Sequence, residues 1–562
     1  MVSEFGVRAP ASRRRRGAVA VVAGILVGTI LASIDVVRGD TASHAEEILR
    51  QLGAGAGVPA SEQNAEDLAL LVRFYQERQL QPLWITEHAA TARAGTLAAI
   101  LAAADEDGLD PEDYGAAAIA DLLDATDADD LAELELRLSL GLIRFTSDLA
   151  SGRLEPSKVN PELFVHPPEV DHGEVIRTAA DAGDLGAFVG RFRPAQDEYR
   201  RLQAALADFR ARSATADWGA VPEGPTLDPG TSDQRVALLR ARLRASSDPE
   251  ETRLATAAAV SPELYDDQLR AAVIRFQERH GLAPDGRVGP KTLEALNVPI
   301  EERSRQMILN LERRRWMPDD RGQRYVFVNL ADFELKVVDE PKTVLDTRVV
   351  VGAPYHRTPV FSADMTYVEL NPYWNVPSSI ARNELLPKIK EDPGYLAAND
   401  FELLSDWGDG ATAVDPWSVD WSRITADNFT YRLRQRPGDG NALGRIKFMF
   451  PNQFNVYLHD TPARSLFERA ERSFSHGCIR VEGPEAFGAV VLAGQDGWSL
   501  DRIFAAIKSG ERMIVTLERP LPVHIAYLTA WVNKDGTVHF RNDVYGRDAI
   551  LAAALLGPRA AH

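Results

Sequence analysis

The hydrophobic period of this 562-residue chain changes near Tyr325, and no all-helical or all-strand fold accommodates both sides of the change. Residues 46–225 read as helix, with apolar positions at helical spacing in Leu68–Tyr75 and again in Leu131–Leu140. Asp107–Pro111 is a turn between two such helices, and Gly152 ends another. Arg153 and Tyr114 read as exposed polar residues. Pro222–Gly230 is a linker rich in proline and glycine. Residues 231–298 read as a three-helix bundle: Ser232 or Asp233 caps the first helix, His280-Gly281 ends the second, and Gly289-Pro290 opens the third. From Tyr325 the pattern alternates. Tyr325–Leu330, Glu334–Asp339, Thr347–Gly352 and Thr366–Asn371 are short β-branched runs, as in a sandwich or barrel. Residues 377–444 interrupt the strands, and a long insertion at such a place is characteristically a lid. Strands resume at Arg445–Phe450 and Phe454–His459. Helices follow from Gly483 and Asp501, then a closing strand at Met513–Leu517 and a hairpin of His524–Val532 with Thr537–Phe540. The expected fold is multidomain α+β.

The N-terminus carries an export pattern. Arg13–Arg16 precede the uncharged run Gly17–Ile34, whose 18 residues span about 27 Å as a helix, against a bilayer core of about 30 Å. Residues 1–45 therefore read as a basic cytoplasmic stretch and an anchor in the inner membrane, with the body in the periplasm and a cleaved signal as the alternative. A formal net charge of −19 argues against a nucleic-acid binder. One cysteine rules out an intrachain disulfide, so an exported body must be held by packed cores.

That cysteine, Cys478, lies in Ser473-Phe474-Ser475-His476-Gly477-Cys478-Ile479-Arg480-Val481, nineteen positions after His459 in Val456-Tyr457-Leu458-His459-Asp460. A thiol attacks a carbonyl only as its thiolate, so it needs a base or a positive field beside it. His459 can take the proton and later return it to a leaving amine; His476, two residues from the thiol, competes for the same role. The carboxylate of Asp460 or a main-chain carbonyl can fix the imidazole tautomer. The amides of Gly477 and Cys478 offer an oxyanion site. No paired-cysteine or HExxH pattern supports a metal, and no cofactor is expected.

His459, fifteen residues and then Ser475-His476-Gly477-Cys478 resemble the signature of the L,D-transpeptidase (YkuD-type) catalytic domain. The family pattern continues with a hydrophobic residue and asparagine; Ile479 fits, and Arg480 stands where the asparagine would be. The resemblance puts the nucleophile on Cys478 and the base on His459. It leaves Ser475, His476, Gly477, Asp460 and Arg480 as supporting or oxyanion residues. Phe276-Gln277, Gly281-Leu282 and Asp285–Leu293 resemble the peptidoglycan-binding type 1 domain. The order anchor (1–45), helical scaffold (46–225), peptidoglycan-binding bundle (231–300) and catalytic domain (320–520, lid 377–444) with a C-terminal hairpin and tail (521–562) resembles the large YcbB-like subgroup. What this implies is acyl transfer through a Cys478 thioester. D-alanine leaves a tetrapeptide stem and the amine of a second stem forms a 3–3 cross-link, in enzymes typically acylated by carbapenems. Trimming of stems by water, attachment of a lipoprotein, and a wall-binding scaffold without catalysis are the rival outcomes. The partners implied are peptidoglycan stems and glycan. Arg382, Lys388, Arg445 and Tyr457 are candidates for holding substrate, the cations by pairing stem carboxylates.

Overall fold

The computed structural model describes residues 47–48, 50, 62–213, 219–257, 259 and 261–557. The expected anchor at residues 1–45 lies outside them. Among the described residues no helix is long and apolar enough to cross a membrane. Two compact units are present. One comprises the described residues up to Arg153 with Pro167–Ala195; the other comprises the described residues of Leu154–His166 and Gln196–Leu556.

The first unit is helical, as its apolar spacing predicts. Its long helix, Ala128–Ser151, starts on an Asp127 cap and ends at Gly152 with φ of 80°, a backbone region that glycine enters without strain. That helix buries Glu135, whose carboxylate accepts from the Tyr75 hydroxyl at 2.7 Å and the Trp84 amide at 2.8 Å. Burial pushes Glu135 up to about 7. Tyr114 is buried, not exposed as expected, because its hydroxyl has a partner there: it donates to Asp148 at 2.8 Å. Arg153 pairs with Asp113 at 3.1 Å.

The helical stretch expected over 46–225 is not one body. The helix Asp197–Ser213 packs within the second unit, where Tyr199, Leu202, Leu206 and Phe209 share a core with Met307 and Leu311 of the helix Ile300–Arg315. The bundle between them has four helices rather than three: Gln234–Arg244, Pro249–Thr256, Asp267–Arg279 and Pro290–Leu296. The extra one starts on Asp248, which accepts from the Glu251 amide with proline at the first helical position; those are ordinary start signals in a short apolar-poor stretch. The bundle is bonded to the C-terminal hairpin. Arg279 donates to Val538 O and Arg541 donates to Arg279 O, both at 2.8 Å, and His280 stacks between Phe276 and Phe540.

The strands are β1 (Leu163–Phe164), β2 (Arg324–Asn329), β3 (Glu334–Asp339), β4 (Lys342–Gly352), β5 (Val360–Leu370), β6 (Trp374–Asn375), β7 (Phe401–Leu404), β8 (Arg432–Gln435), β9 (Ile446–Met449), β10 (Leu458–His459), β11 (Ser473–Ser475), β12 (Ile479–Val481), β13 (Met513–Ala526), β14 (Ala530–Val532) and β15 (Val538–Phe540). The main sheet runs β5-β13-β2-β3-β4-β12-β10-β9, and β9 pairs back onto β5, so eight strands close on themselves. Alternate residues, among them Val368, Phe448, Leu458 and Ile479, fill the interior. The closing strand expected to stop at Leu517 continues to Ala526, and His524 belongs to it rather than to the hairpin. A register shift between Thr516 and Leu521 carries the strand past Pro520 and Pro522. The hairpin is therefore shorter than expected, Ala530–Val532 against Val538–Phe540. The insertion folds around its own core of Val376, Leu386, Ile389, Phe401, Trp421 and Leu433, with β7 and β8 paired and β6 on the other edge of β8.

Candidate active site

The nucleophile and base candidates come from neighbouring strands in parallel register. Leu458 pairs with Ile479 and His459 with Arg480. Since Leu458 and Ile479 point into the barrel, Tyr457, His459 and Arg480 share the opposite face, and Cys478, directly before β12, comes level with Tyr457. The Ile479 amide donates to Tyr457 O at 3.1 Å and ties the start of β12 to that strand. The Tyr457 hydroxyl faces the thiol, and the Cys478 Sγ lies 3.7 Å from Asn455 O.

The loop before the thiol needs glycine. Gly477 has φ of 110°, where a Cβ would be strained. Its amide donates to Ser475 Oγ at 3.1 Å, and Ser475 Oγ in turn donates to Cys478 O. Thr358 Oγ1 donates to Gly477 O at 2.8 Å. The Gly477 amide, expected in the oxyanion site, is thus committed to shaping the loop, and of the two amides named from sequence the Cys478 amide is the one left to that role. Ser475 acts as the latch of the turn.

His459 is buried, and its Nδ1 donates to the main-chain oxygen of Asp460 at 2.5 Å. That bond fixes the tautomer with a lone pair on Nε2, the form a general base requires. The Asp460 carboxylate is engaged elsewhere, accepting from the Arg445 amide at 2.8 Å. Burial, with Arg480 and Lys447 adding positive charge, pushes His459 down to about 3. Burial also pushes the Cys478 thiol up, against the opposing pull of Tyr457, Lys447 and Arg480. Both shifts favour the uncharged forms, thiol and imidazole.

His476 has other partners. Its Nε2 is 2.7 Å from Glu384 Oε1, which lies in the π-helical turn Ala381–Leu385 of the insertion, and its ring packs on His356 with centroids 4.9 Å apart. The insertion thus touches the loop that carries the thiol. Arg382 donates to Phe429 O and Lys388 lies over the Tyr395 ring, so both make these contacts within the insertion. Arg445 pairs with Asp439 at 2.5 Å. The residue missed from sequence is Lys447. It stands directly across from His459 on β9, and its Nζ is 4.1 Å from the Tyr457 ring centroid. Only the β9–β10 pairing reveals it, because residue spacing alone does not show which strand flanks β10.

Three family models match the chain: the L,D-transpeptidase catalytic domain over residues 323–499, the scaffold domain over 69–206, and the domain described as "Putative peptidoglycan binding domain" over 232–296. A protein of Haemophilus influenzae described as "Putative L,D-transpeptidase" is 34% identical over 272 residues, 48% of this chain and 54% of its own length. The chain thus spans about half the length of that relative. Among solved structures, an L,D-transpeptidase from Xylanimonas cellulosilytica is 15% identical with a TM-score of 0.18, covering 54% of this chain and 99% of that one. One from Mycobacterium smegmatis is 11% identical with a TM-score of 0.18, covering 36% of this chain and 58% of that one. The catalytic-domain match spans β2 to β12 and the peptidoglycan-binding match spans the four-helix bundle, and the chain carries an L,D-transpeptidase catalytic domain of the YkuD family, preceded by a scaffold domain and a peptidoglycan-binding domain.

Proposed function

We propose that the protein is a peptidoglycan L,D-transpeptidase that forms 3–3 cross-links through a thioester on Cys478. The observation that carries this reading is the β10–β12 register, which sets His459 and the residue level with Tyr457 on one face of the sheet, outside the barrel interior. His459 Nε2 takes the thiol proton as Sγ attacks the carbonyl that precedes the terminal D-alanine of a tetrapeptide stem. The Cys478 amide and the Tyr457 hydroxyl are the donors at hand for the oxyanion. As the tetrahedral intermediate collapses, the C–N bond breaks, the imidazolium gives its proton to the leaving amine, and D-alanine departs. The amine of a second stem repeats the sequence in reverse and frees the thiol. The insertion, held to the His476 loop through Glu384, is the element positioned to order stems and exclude water. In this reading the segment 1–45 tethers the protein to the inner membrane, the catalytic body works in the periplasm, and residues 231–300 dock on the wall.

Purified protein incubated with disaccharide-tetrapeptides tests the proposal by product mass. Dimers lacking one D-alanine, with the bond between third residues, are expected. Tripeptide and free D-alanine without dimer would make it a carboxypeptidase instead. The pH profile supplies an independent check. Because His459 remains neutral until the pH falls to about 3, acylation by a carbapenem should keep its neutral-pH rate down to about pH 5. The base is lost only as its imidazole protonates below that. A stopped-flow series from pH 4.5 to 7.5, each at about the same protein concentration, reads this; an acid limb at about 6.5, the ordinary imidazole value, would contradict it.

A further inference from the structure

Across the outer face of the barrel the registers line up Arg480, His459, Lys447 and Glu369 on four successive strands. The row is flanked by positive charge at the reacting pair. Lys447 and Arg480 sit on either side of His459, and both act on the thiol as well. Among the described residues neither makes an ion pair within 4.0 Å of a carboxylate, although Glu369 acts on Lys447 at longer range. Glu369, opposite Lys447, is engaged by Arg512 at 2.5 Å. The Arg480 Nε is buried with no hydrogen-bond partner. Some buried arginines of the second unit meet carboxylates, as Arg279 meets Glu251 and Arg541 meets Asp332, and others, such as Arg303 and Arg472, donate to main-chain oxygens away from the thiol. Two partly buried cations without a close carboxylate are costly to maintain, and both stand beside the thiol.

We infer that Lys447 and Arg480 form a subsite for the terminal carboxylate of the departing D-amino acid. This rests on the acyl-transfer reading and names the group that the site recognises. The terminal carboxylate is three bonds from the attacked carbonyl carbon, so a substrate poised over Cys478 carries it into the space these cations border. Its negative charge supplies what an imidazolium between two cations lacks. A stem with its carboxylate therefore makes His459 a better base than the empty site does, and a peptide extended or capped at that position forgoes both effects.

Two measurements on the full chain test this. The first is the ratio of Cys478 alkylation rates by iodoacetate and by iodoacetamide, relative to free cysteine at the same pH. The protein's net charge of −19 would by itself repel the anionic reagent. The subsite should instead raise the relative ratio about 10-fold or more, and Lys447→Met and Arg480→Met should each lower it while iodoacetamide still reacts; Lys447→Arg should restore it. A ratio equal to that of free cysteine, or one unchanged in both variants, overturns the subsite. The second compares a tetrapeptide stem with its C-terminal amide. Amidation should cut kcat/KM about 10-fold or more in the native chain and far less in Lys447→Met. Equal turnover of acid and amide overturns the assignment to the leaving group. A raised alkylation ratio with no turnover of either stem would sink the transpeptidase reading while supporting the anion site, so the two failures are distinguishable.

Discussion

Cys478→Ala is expected to lose all carbapenem adduct and all stem cross-linking with its melting temperature nearly unchanged. The thiol is the only cysteine, and its contact with Asn455 O is long at 3.7 Å, so few stabilising bonds depend on Sγ. What holds the loop is the set around it: Ser475 Oγ to Gly477 N and Cys478 O, and Thr358 to Gly477 O. Removing Sγ leaves these intact, so the stability change should stay within about 1 kcal/mol. His459→Asn should leave the thiol reachable by iodoacetamide yet slow acylation by about 10²–10⁴, the usual worth of a positioned base. The double variant should be no slower than Cys478→Ala alone, because the pair acts as one unit. Intact mass after incubation reads the adduct, and thermal melting reads the fold. An adduct of equal yield on Cys478→Ala would move the nucleophile elsewhere.

The proposed nucleophile and base stand out in the sequence because both are carried by local patterns: a lone thiol after glycine, and a histidine ending an apolar strand-like run. The strands from Tyr325 to Asp339 were legible for the same reason, since alternation is a short-range signal. What the sequence hid depends on pairing. Lys447 reads as one polar position in an alternating strand until β9 is placed against β10. Asp460 offers both a carboxylate and a carbonyl to the imidazole, and only the fold shows that the carbonyl takes it. Glu384 lies in the insertion, 92 residues before His476, at a separation no periodicity reports. The length of β13 was hidden by Pro520 and Pro522, which ordinarily end a strand and here sit at and beyond an irregularity in the ladder. The fourth helix of the bundle is a miss of another kind. Asp248-Pro249-Glu250-Glu251 is a clear start signal, but the eight residues that follow Asp248 bury few apolar side chains and show little period.

Gly352→Ala should be the most damaging single-methyl change near the site. A Cβ there would lie 2.1 Å from His356 O and 2.8 Å from Thr358 N, and both are backbone atoms that cannot swing away. The turn 353–357 must shift, at a cost of about 3 kcal/mol, as for other overpacked sites. The shift is transmitted to the catalytic loop by two routes. Gly352 N donates to Thr358 Oγ1 at 3.0 Å, and the same hydroxyl donates to Gly477 O; Ala353 N donates to Ser475 O at 2.8 Å. Acylation should therefore fall about 100-fold or more even where the protein is still folded, as expected when a nucleophile is displaced by about 1 Å. Thr358→Val separates the two effects. It removes the hydroxyl that joins β4 to the Gly477 carbonyl without crowding the backbone, so the stability loss should be only about 1–2 kcal/mol while much of the acylation defect remains. Gly410→Ala, in the insertion and with nothing within 4 Å of the added carbon, is the neutral reference. Urea midpoints and acylation rates on the three variants decide the matter. If Thr358→Val acylates at the native rate, the latch between β4 and Gly477 is structural only, and any loss in folded Gly352→Ala runs through the Ala353–Ser475 bond instead.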